Sequence, residues 1–277
     1  MYDCHVHSHF SLDSELDPIT ACEVAIKAGL EGIAFTDHMD YDFPNIDPNL
    51  NIDFDTYSRY MDNLKAKYKA RLKVLKGVEV GIQPHVIEDS LQLVKKYDFD
   101  YVLASVHILD GIDPYYKDSC YYKDKTKLQA YSRYVEEILF MVTHFDDFDV
   151  AGHFDYIIRY APYDDRSFRY DDHRDLLDSI FKELIYKGRG FEINTGSYRE
   201  RSSGIAGPDK KAPEYDIALL KRFRELGGEI VCLGSDSHSP EYIGYKFSYF
   251  SGLLLEAGFK YVTHFEGRKP VFTKITV

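Results

Sequence analysis

Short runs of buried-type residues alternate with longer stretches of helical spacing from one end of this chain to the other. Met1 to Phe10 reads as a short strand with histidines at alternate positions, His5, His7 and His9. Asp17-Pro18 then opens a helix through Ala28, with Asp17 as its cap and Gly29 past its end. Gly32 to His38 is a second strand, and a helix over Asp55 to Leu72 carries Tyr57, Tyr60, Met61, Leu64 and Tyr68 on one face. Strands follow at Val74–Ile82, Tyr101–His107, Val150–His153, Gly190–Asn194 and Glu229–Gly234, the last running into Ser235-Asp236-Ser237-His238. The helices between them are expected at Pro84–Tyr97, Lys127–Phe145, Asp172–Lys187 and Pro213–Leu226. Ile108 to Lys125 and Phe154 to Tyr170 read as long irregular segments. A last helix over Ile243 to Ala257 precedes closing segments at Tyr261–Thr263 and Lys269–Val277.

Seven strands that are apolar on both faces and alternate with helices predict a parallel sheet covered by helices, an α/β protein. Both an open sheet and a closed barrel satisfy that pattern. The polar residues separate the two. Ligand-type side chains end strand after strand: His5 and His7, Asp37 and His38, Glu79, His107, His153, and Asp236 with His238. Active-site groups gather from several strand ends at one rim of a barrel. An open sheet would spread them, so a barrel of seven βα units is the expected architecture. No linker or internal repeat divides residues 1–277, and one domain is expected.

Composition narrows the function. The net charge of −12 argues against nucleic acid held by a general basic field. A small anionic substrate stays admissible where metal ions supply local positive charge. The four cysteines show no CxxC spacing, no secretory signal opens the chain, and no apolar run reaches membrane-spanning length. A cytoplasmic protein with reduced thiols and no membrane partner is expected.

Side chains two apart on a strand share a face, which makes His5 and His7 neighbours. His9 joins them only if the strand runs that far. Six of the 11 histidines sit at or beside strand ends; the other five, His9, His85, His144, His173 and His264, are assigned structural or surface roles. Six imidazoles with Asp13, Glu79 and Asp236 around one cavity would be costly without cations. Mixed nitrogen and oxygen donors suit Zn, Fe or Mn. Nine candidate ligands exceed one tetrahedral site, so two or three divalent ions are expected.

The motifs His5-x-His7, Thr36-Asp37-His38, Gly77-Val78-Glu79, Ser105-Val106-His107, Gly152-His153-x-Asp155 and Ser235-Asp236-Ser237-His238 occur in the order seen in the polymerase-and-histidinol-phosphatase (PHP) superfamily. The chain resembles that superfamily over nearly its whole length. Its inserts after the fourth and fifth strands look like the histidinol-phosphate phosphatase branch. The resemblance implies a distorted (β/α)7, TIM-like barrel with a trinuclear metal site at the C-terminal rim. It assigns one ion to His5, His7, Glu79 and Asp236, and a second, bridged by Glu79, to His107 and His153. A third falls to His38, His238 and Asp13, the last standing where many members carry histidine. Asp37 is expected to orient a histidine.

The implied reaction is hydrolysis of L-histidinol phosphate to L-histidinol and inorganic phosphate by a metal-bridging hydroxide. Arg159 and Arg199 are candidates for gripping phosphate, and Asp236 or His238 for the proton passed to the leaving alkoxide. Asp40, Asp42 and Asp110 are candidates for the substrate's cationic groups at the mouth. Two other readings compete: a PHP phosphoesterase acting on nucleotides or nucleic-acid ends, and a barrel that keeps metals without catalysis. The missing basic stripe opposes the first, and the nearly intact ligand set opposes the second.

Overall fold

The computed structural model describes residues 1–47, 51–115, 119–200 and 213–276. Eight strands form its main sheet: β1 (Tyr2–Val6), β2 (Gly32–Phe35), β3 (His38–Asp40), β4 (Lys73–Gly81), β5 (Tyr101–Ser105), β6 (Val150–Ala151), β7 (Gly190–Asn194) and β8 (Val231–Gly234). They run in the order β1-β2-β4-β5-β6-β7-β8, all parallel, with β3 also on β4. Phe35 faces Lys76 and His38 faces Glu79, so the register on β4 is unbroken between β2 and β3. These two segments therefore fill one strand position, and the sheet has the expected seven.

Backbone bonds past the end of β8 close the circle. Asp236 N donates to the His5 carbonyl at 2.8 Å, and His7 N donates to the Ser237 carbonyl at 2.9 Å. Asp3 fastens the same seam. Its fully buried carboxylate accepts from Ser235 N at 2.9 Å and Gly244 N at 2.8 Å.

The helices are α1 (Pro18–Lys27), α2 (Phe54–Tyr68), α3 (Ile87–Lys96), α4 (Lys127–His144), α5 (Arg174–Tyr186), α6 (Ala218–Glu225) and α7 (Phe247–Glu256). Asp17 caps α1 by accepting from Thr20 N. The last two helices start later than their apolar spacing suggests. Asp216 accepts from both Ala218 N and Tyr170 N, which holds the preceding turn out of α6. Lys246 takes a left-handed φ of 54°, so α7 begins only after it. The tail forms an antiparallel hairpin, β9 (Tyr261–Glu266) with β10 (Lys269–Lys274). Phe265 of β9 packs with Cys4, Ala34, Leu75, Leu103, Val150 and Cys232, a layer drawn from six strand positions. Arg268 ties the hairpin to Asp149 at 2.5 Å. Among the described residues no helix is long and apolar enough to cross a membrane.

The β1 pairing slips by one residue between Asp3 and Val6. Bulges of this kind re-aim side chains. Here Cys4 joins the apolar layer while the next residue, His5, meets Glu79 and Glu192. Simple alternation on a regular strand would send those two side chains to opposite faces.

Replacing Asp3 with Ala takes the acceptor from the Ser235 and Gly244 N–H groups and from the more distant His5 N–H, at an expected cost of about 2–3 kcal/mol. Thermal unfolding should shift down by roughly 3–6 °C. Asp3→Asn keeps an acceptor oxygen and should cost less than Asp3→Ala in the same melt.

Candidate metal centre

At the C-terminal ends of these strands the side chains converge on Glu79, a buried carboxylate of β4. Its two oxygens face different partners. Oε2 lies 3.2 Å from His5 Nε2 and 3.5 Å from His7 Nε2. His5 Nε2 and His7 Nε2 are 2.9 Å apart, and Asp236 Oδ1 lies 3.6 and 3.2 Å from them. Oε1 lies 3.2 Å from His107 Nε2 and 3.0 Å from His153 Nε2, which are 3.3 Å from one another. Tetrahedral zinc with bonds of about 2.0–2.1 Å spaces its nitrogen and oxygen donors about 3.3 Å apart. Both groups match that spacing, and the donor set fits divalent metal ions.

A third group surrounds His7, whose ring stacks between His38 and His238 at 4.1 Å from each. Asp13 Oδ2 lies 3.1 Å from His238 Nε2 and 3.7 Å from His38 Nε2. His38 also turns Nδ1 toward Glu79 Oε2 at 3.1 Å. The His238 Nε2 and His38 Nδ1 atoms are buried with no hydrogen bond, so their position beside carboxylates satisfies neither. All nine residues proposed from the sequence as ligands thus gather at one rim. Asp236 reaches it with a left-handed φ of 52°, a strained backbone for a non-glycine residue at the functional site.

Hydrogen bonds behind the cluster choose which nitrogen faces it. Glu192 of β7 accepts from His5 Nδ1 at 2.7 Å and, through its other oxygen, from His153 N at 3.0 Å. Asp40 accepts from His107 Nδ1 at 2.7 Å. His7 Nδ1 donates to Ser11 Oγ at 3.2 Å, and that hydroxyl donates to Asp37 at 2.8 Å. Asp37 therefore touches no imidazole; it orients His7 through a serine. The His153 ring is steadied by stacking on Tyr156 at 4.8 Å. In each case Nε2 is left to the cluster, the usual division of labour at metal-binding histidines.

Two glycines make this shell fit. A Cβ on Gly234 would sit 1.9 Å from Glu192 Oε1, and one on Gly81 would sit 1.7 Å from Asp40 Oδ1. Sequence reasoning gave neither glycine a role, and it missed Glu192 and Ser11. Glu192 carried a signal, as an acid inside the apolar strand Gly190–Asn194. His9 is exposed beyond the strand, His85 pairs with Asp42, and His264 stacks on Tyr2, so these three stay outside the centre.

The electrostatics favour cations strongly. Burial raises the carboxylates, yet the imidazoles outweigh it and hold Glu79 and Asp236 well below the usual range. Burial lowers the histidines, yet Asp40 and Glu79 push His107 up to about 10, while Glu192 and Glu79 push His5 well up. His7, between two other imidazoles and buried, is pushed well down. Protons thus compete for the negative field in which metal ions would sit.

The cluster opens on a cavity of about 530 Å³ whose walls include Phe10, Phe43, Ile52, Asp113, Tyr115, Tyr156 and Tyr160. Arg159 and Arg199 stand together at the Asp236 side but do not line it. Arg159 donates to the Gly196 carbonyl at 2.7 Å; Arg199 donates to the carbonyls of Ser235 and Asp236 at 2.5 and 2.9 Å. Each keeps a buried Nε without a hydrogen bond. Of the acids expected at the mouth, Asp42 pairs with His85 and Asp110 with Arg133, so neither faces the cavity lining, while Asp40 lines it but is engaged by His107.

Glu192→Gln preserves shape but removes the charge behind His5, and zinc affinity should fall roughly ten- to a hundredfold by competition with a chromophoric chelator. Because Asp40 and Glu79 push His107 up to about 10, zinc uptake by chelator-stripped protein at pH 7 should release protons. A pH-indicator titration in weak buffer reads that release directly, and affinity should rise as pH rises.

Comparison with known proteins agrees with this geometry. The PHP domain family profile matches residues 3–196. A histidinol-phosphatase of Lactococcus lactis is 34% identical over 96% of this chain and 95% of its own. The crystal structure of the histidinol phosphate phosphatase of that organism, complexed with zinc, L-histidinol and phosphate, covers 98% of each chain with a TM-score of 0.88. A probable histidinol-phosphatase of Thermotoga maritima is 27% identical over 99% of this chain and 100% of its own. With its barrel, its ordered motifs and its clustered donors, this chain belongs to the PHP domain family.

Proposed function

We infer that this chain is a histidinol-phosphatase, hydrolysing L-histidinol phosphate to L-histidinol and inorganic phosphate. The observation that carries the reading is the division of Glu79 between two donor groups at the floor of a cavity. Its support in substrate terms is the 34% identical Lactococcus lactis enzyme, whose structure holds zinc, L-histidinol and phosphate. Divalent cations at such a centre neutralise phosphate charge and lower the pKa of a bound water toward neutrality. Two or three ions drawn from Zn, Fe and Mn suit these donors, with His5, His7, Glu79 and Asp236 around one and Glu79, His107 and His153 around another. His38, His238 and Asp13 serve a third.

The chain's own groups then have separable tasks. Glu192, Asp40 and Ser11 hold the imidazole tautomers, so the donors need no rearrangement when substrate arrives. Arg159 and Arg199 add positive charge beside Asp236, which favours a phosphate dianion seated at the cluster. Asp236 is held ionised by its imidazole neighbours and serves as a ligand rather than as the proton donor to the departing alkoxide, and His238 lines the cavity beside it as a ligand of the third group. The aromatic walls exclude water from the organic part of the substrate. A cytoplasmic location accords with the four free cysteines.

The test is a substrate panel with metal analysis on one purified sample. Histidinol phosphate should be turned over with a higher kcat/KM than nucleoside monophosphates or an aryl phosphate. A preference for a nucleotide or a nucleic-acid end would overturn the reading. In the same panel Glu79→Ala should lose bound metal and nearly all activity. Arg159→Ala should lower kcat/KM roughly tenfold or more while metal content stays unchanged.

A further inference from the structure

Among the described residues five carboxylates line the cavity: Asp13, Asp40, Glu79, Asp113 and Asp236. Four of them face imidazoles. Asp13 lies against His38 and His238, Asp40 against His107, and Glu79 and Asp236 stand within the donor cluster. Asp113 is different. Its Oδ1 accepts from Tyr115 N at 2.6 Å and from the Tyr156 hydroxyl at 3.2 Å, both neutral donors. These bonds fix the carboxyl group in place; burial raises its pKa, offset in part by the Tyr115 N bond and by the charge of His107, whose own ring nitrogens are engaged by Asp40 and Glu79.

Its position relative to the cluster is set by a run of stacked rings. Tyr115 stacks on Tyr156 at 4.5 Å, and Tyr156 stacks on His153 at 4.8 Å. His153 Nε2 is part of the donor cluster, and the Tyr156 hydroxyl touches Asp113. One tyrosine side chain thus spans from the phosphate end of the cavity to this carboxylate. In histidinol phosphate the ammonium group lies two carbons from the ester oxygen, with the imidazole beyond it. A phosphate seated at the cluster would bring that ammonium to the Tyr156 side of the cavity and the imidazole against aromatic faces.

We propose that Asp113 is the specificity residue that pairs with the substrate's ammonium group, on a wall built by Tyr115 and Tyr156. The proposal rests on the histidinol-phosphatase reading and goes further by assigning amine recognition to one side chain. A carboxylate held ready in a half-buried site discriminates strongly against a ligand lacking the charged partner, because it is then left desolvated and unpaired.

The experiment compares kcat/KM for histidinol phosphate with that for its des-amino analogue, imidazolylpropyl phosphate, with metal content measured alongside. In the wild-type protein the amine should be preferred by roughly ten- to a hundredfold. Asp113→Asn retains an acceptor for Tyr115 N and Tyr156, and it should bring the ratio close to one. Asp113→Glu restores the charge and should recover part of the preference. An unchanged ratio in Asp113→Asn overturns the proposal, as does a wild-type protein that hydrolyses histidinol phosphate no better than the analogue. A wild-type protein that turns over nucleotides in preference to both compounds marks failure of the underlying substrate reading, and the proposal falls with it.

Discussion

A buried carboxylate shared between two sets of imidazoles is the constraint around which this protein is built. Glu79 is fully buried; one oxygen meets His5, His7 and His38, and the other meets His107 and His153. Taking a carboxylate out of water is costly unless positive charge accompanies it. Imidazoles alone supply that charge only by taking up protons, which is why burial fails to depress His5 and His107. Divalent cations answer the same demand with fewer constraints on pH, and the donor spacing suits them.

The fold serves that demand from behind. Parallel strands deliver their donors from the same end, so six of the seven strand positions feed one rim, and β7 sets Glu192 behind it. The seam between β1 and β8 matters most, because His5, His7 and Asp236 all lie on it. Backbone bonds from Asp236 N and His7 N, with Asp3 beneath them, hold these ligands in register with one another. Gly81 and Gly234 leave the room in which Asp40 and Glu192 reach their imidazoles. Close packing at those positions converts strand geometry into ring orientation.

Above the centre the chemistry changes from polar to aromatic. Tyr115, Tyr156 and Tyr160 with Phe10 and Phe43 form much of the cavity wall, so the tyrosine-rich composition has a local expression. Tyrosine suits this place because its ring stacks while its hydroxyl still bonds. Tyr156 does both, against His153 and toward Asp113. The two arginines stand behind this wall, Arg159 over the Tyr115 ring at 5.9 Å and Arg199 over Tyr242 at 4.1 Å, each anchored on main-chain carbonyls. Anchoring of this kind places positive charge near the cluster without adding another flexible side chain.

Much of this was legible in the residues themselves. Alternating apolar strands and helices forecast a parallel α/β barrel, and polar residues at strand ends marked the rim, because both depend on local periodicity. His107, His153 and Asp236 could be paired with Glu79 only because a family pattern orders them; nothing local links positions so far apart. Tertiary structure decided what depends on register and reach. A slip in β1, invisible in its sequence, aims His5 at Glu192. Asp37 serves His7 through Ser11, Asp40 turns from the mouth to His107, and among the described residues Asp113 emerges as the cavity carboxylate held by tyrosine donors rather than by hydrogen bonds to a histidine. Side-chain roles of this kind are set by distances between separate strands and loops, and those exist only once the barrel has closed.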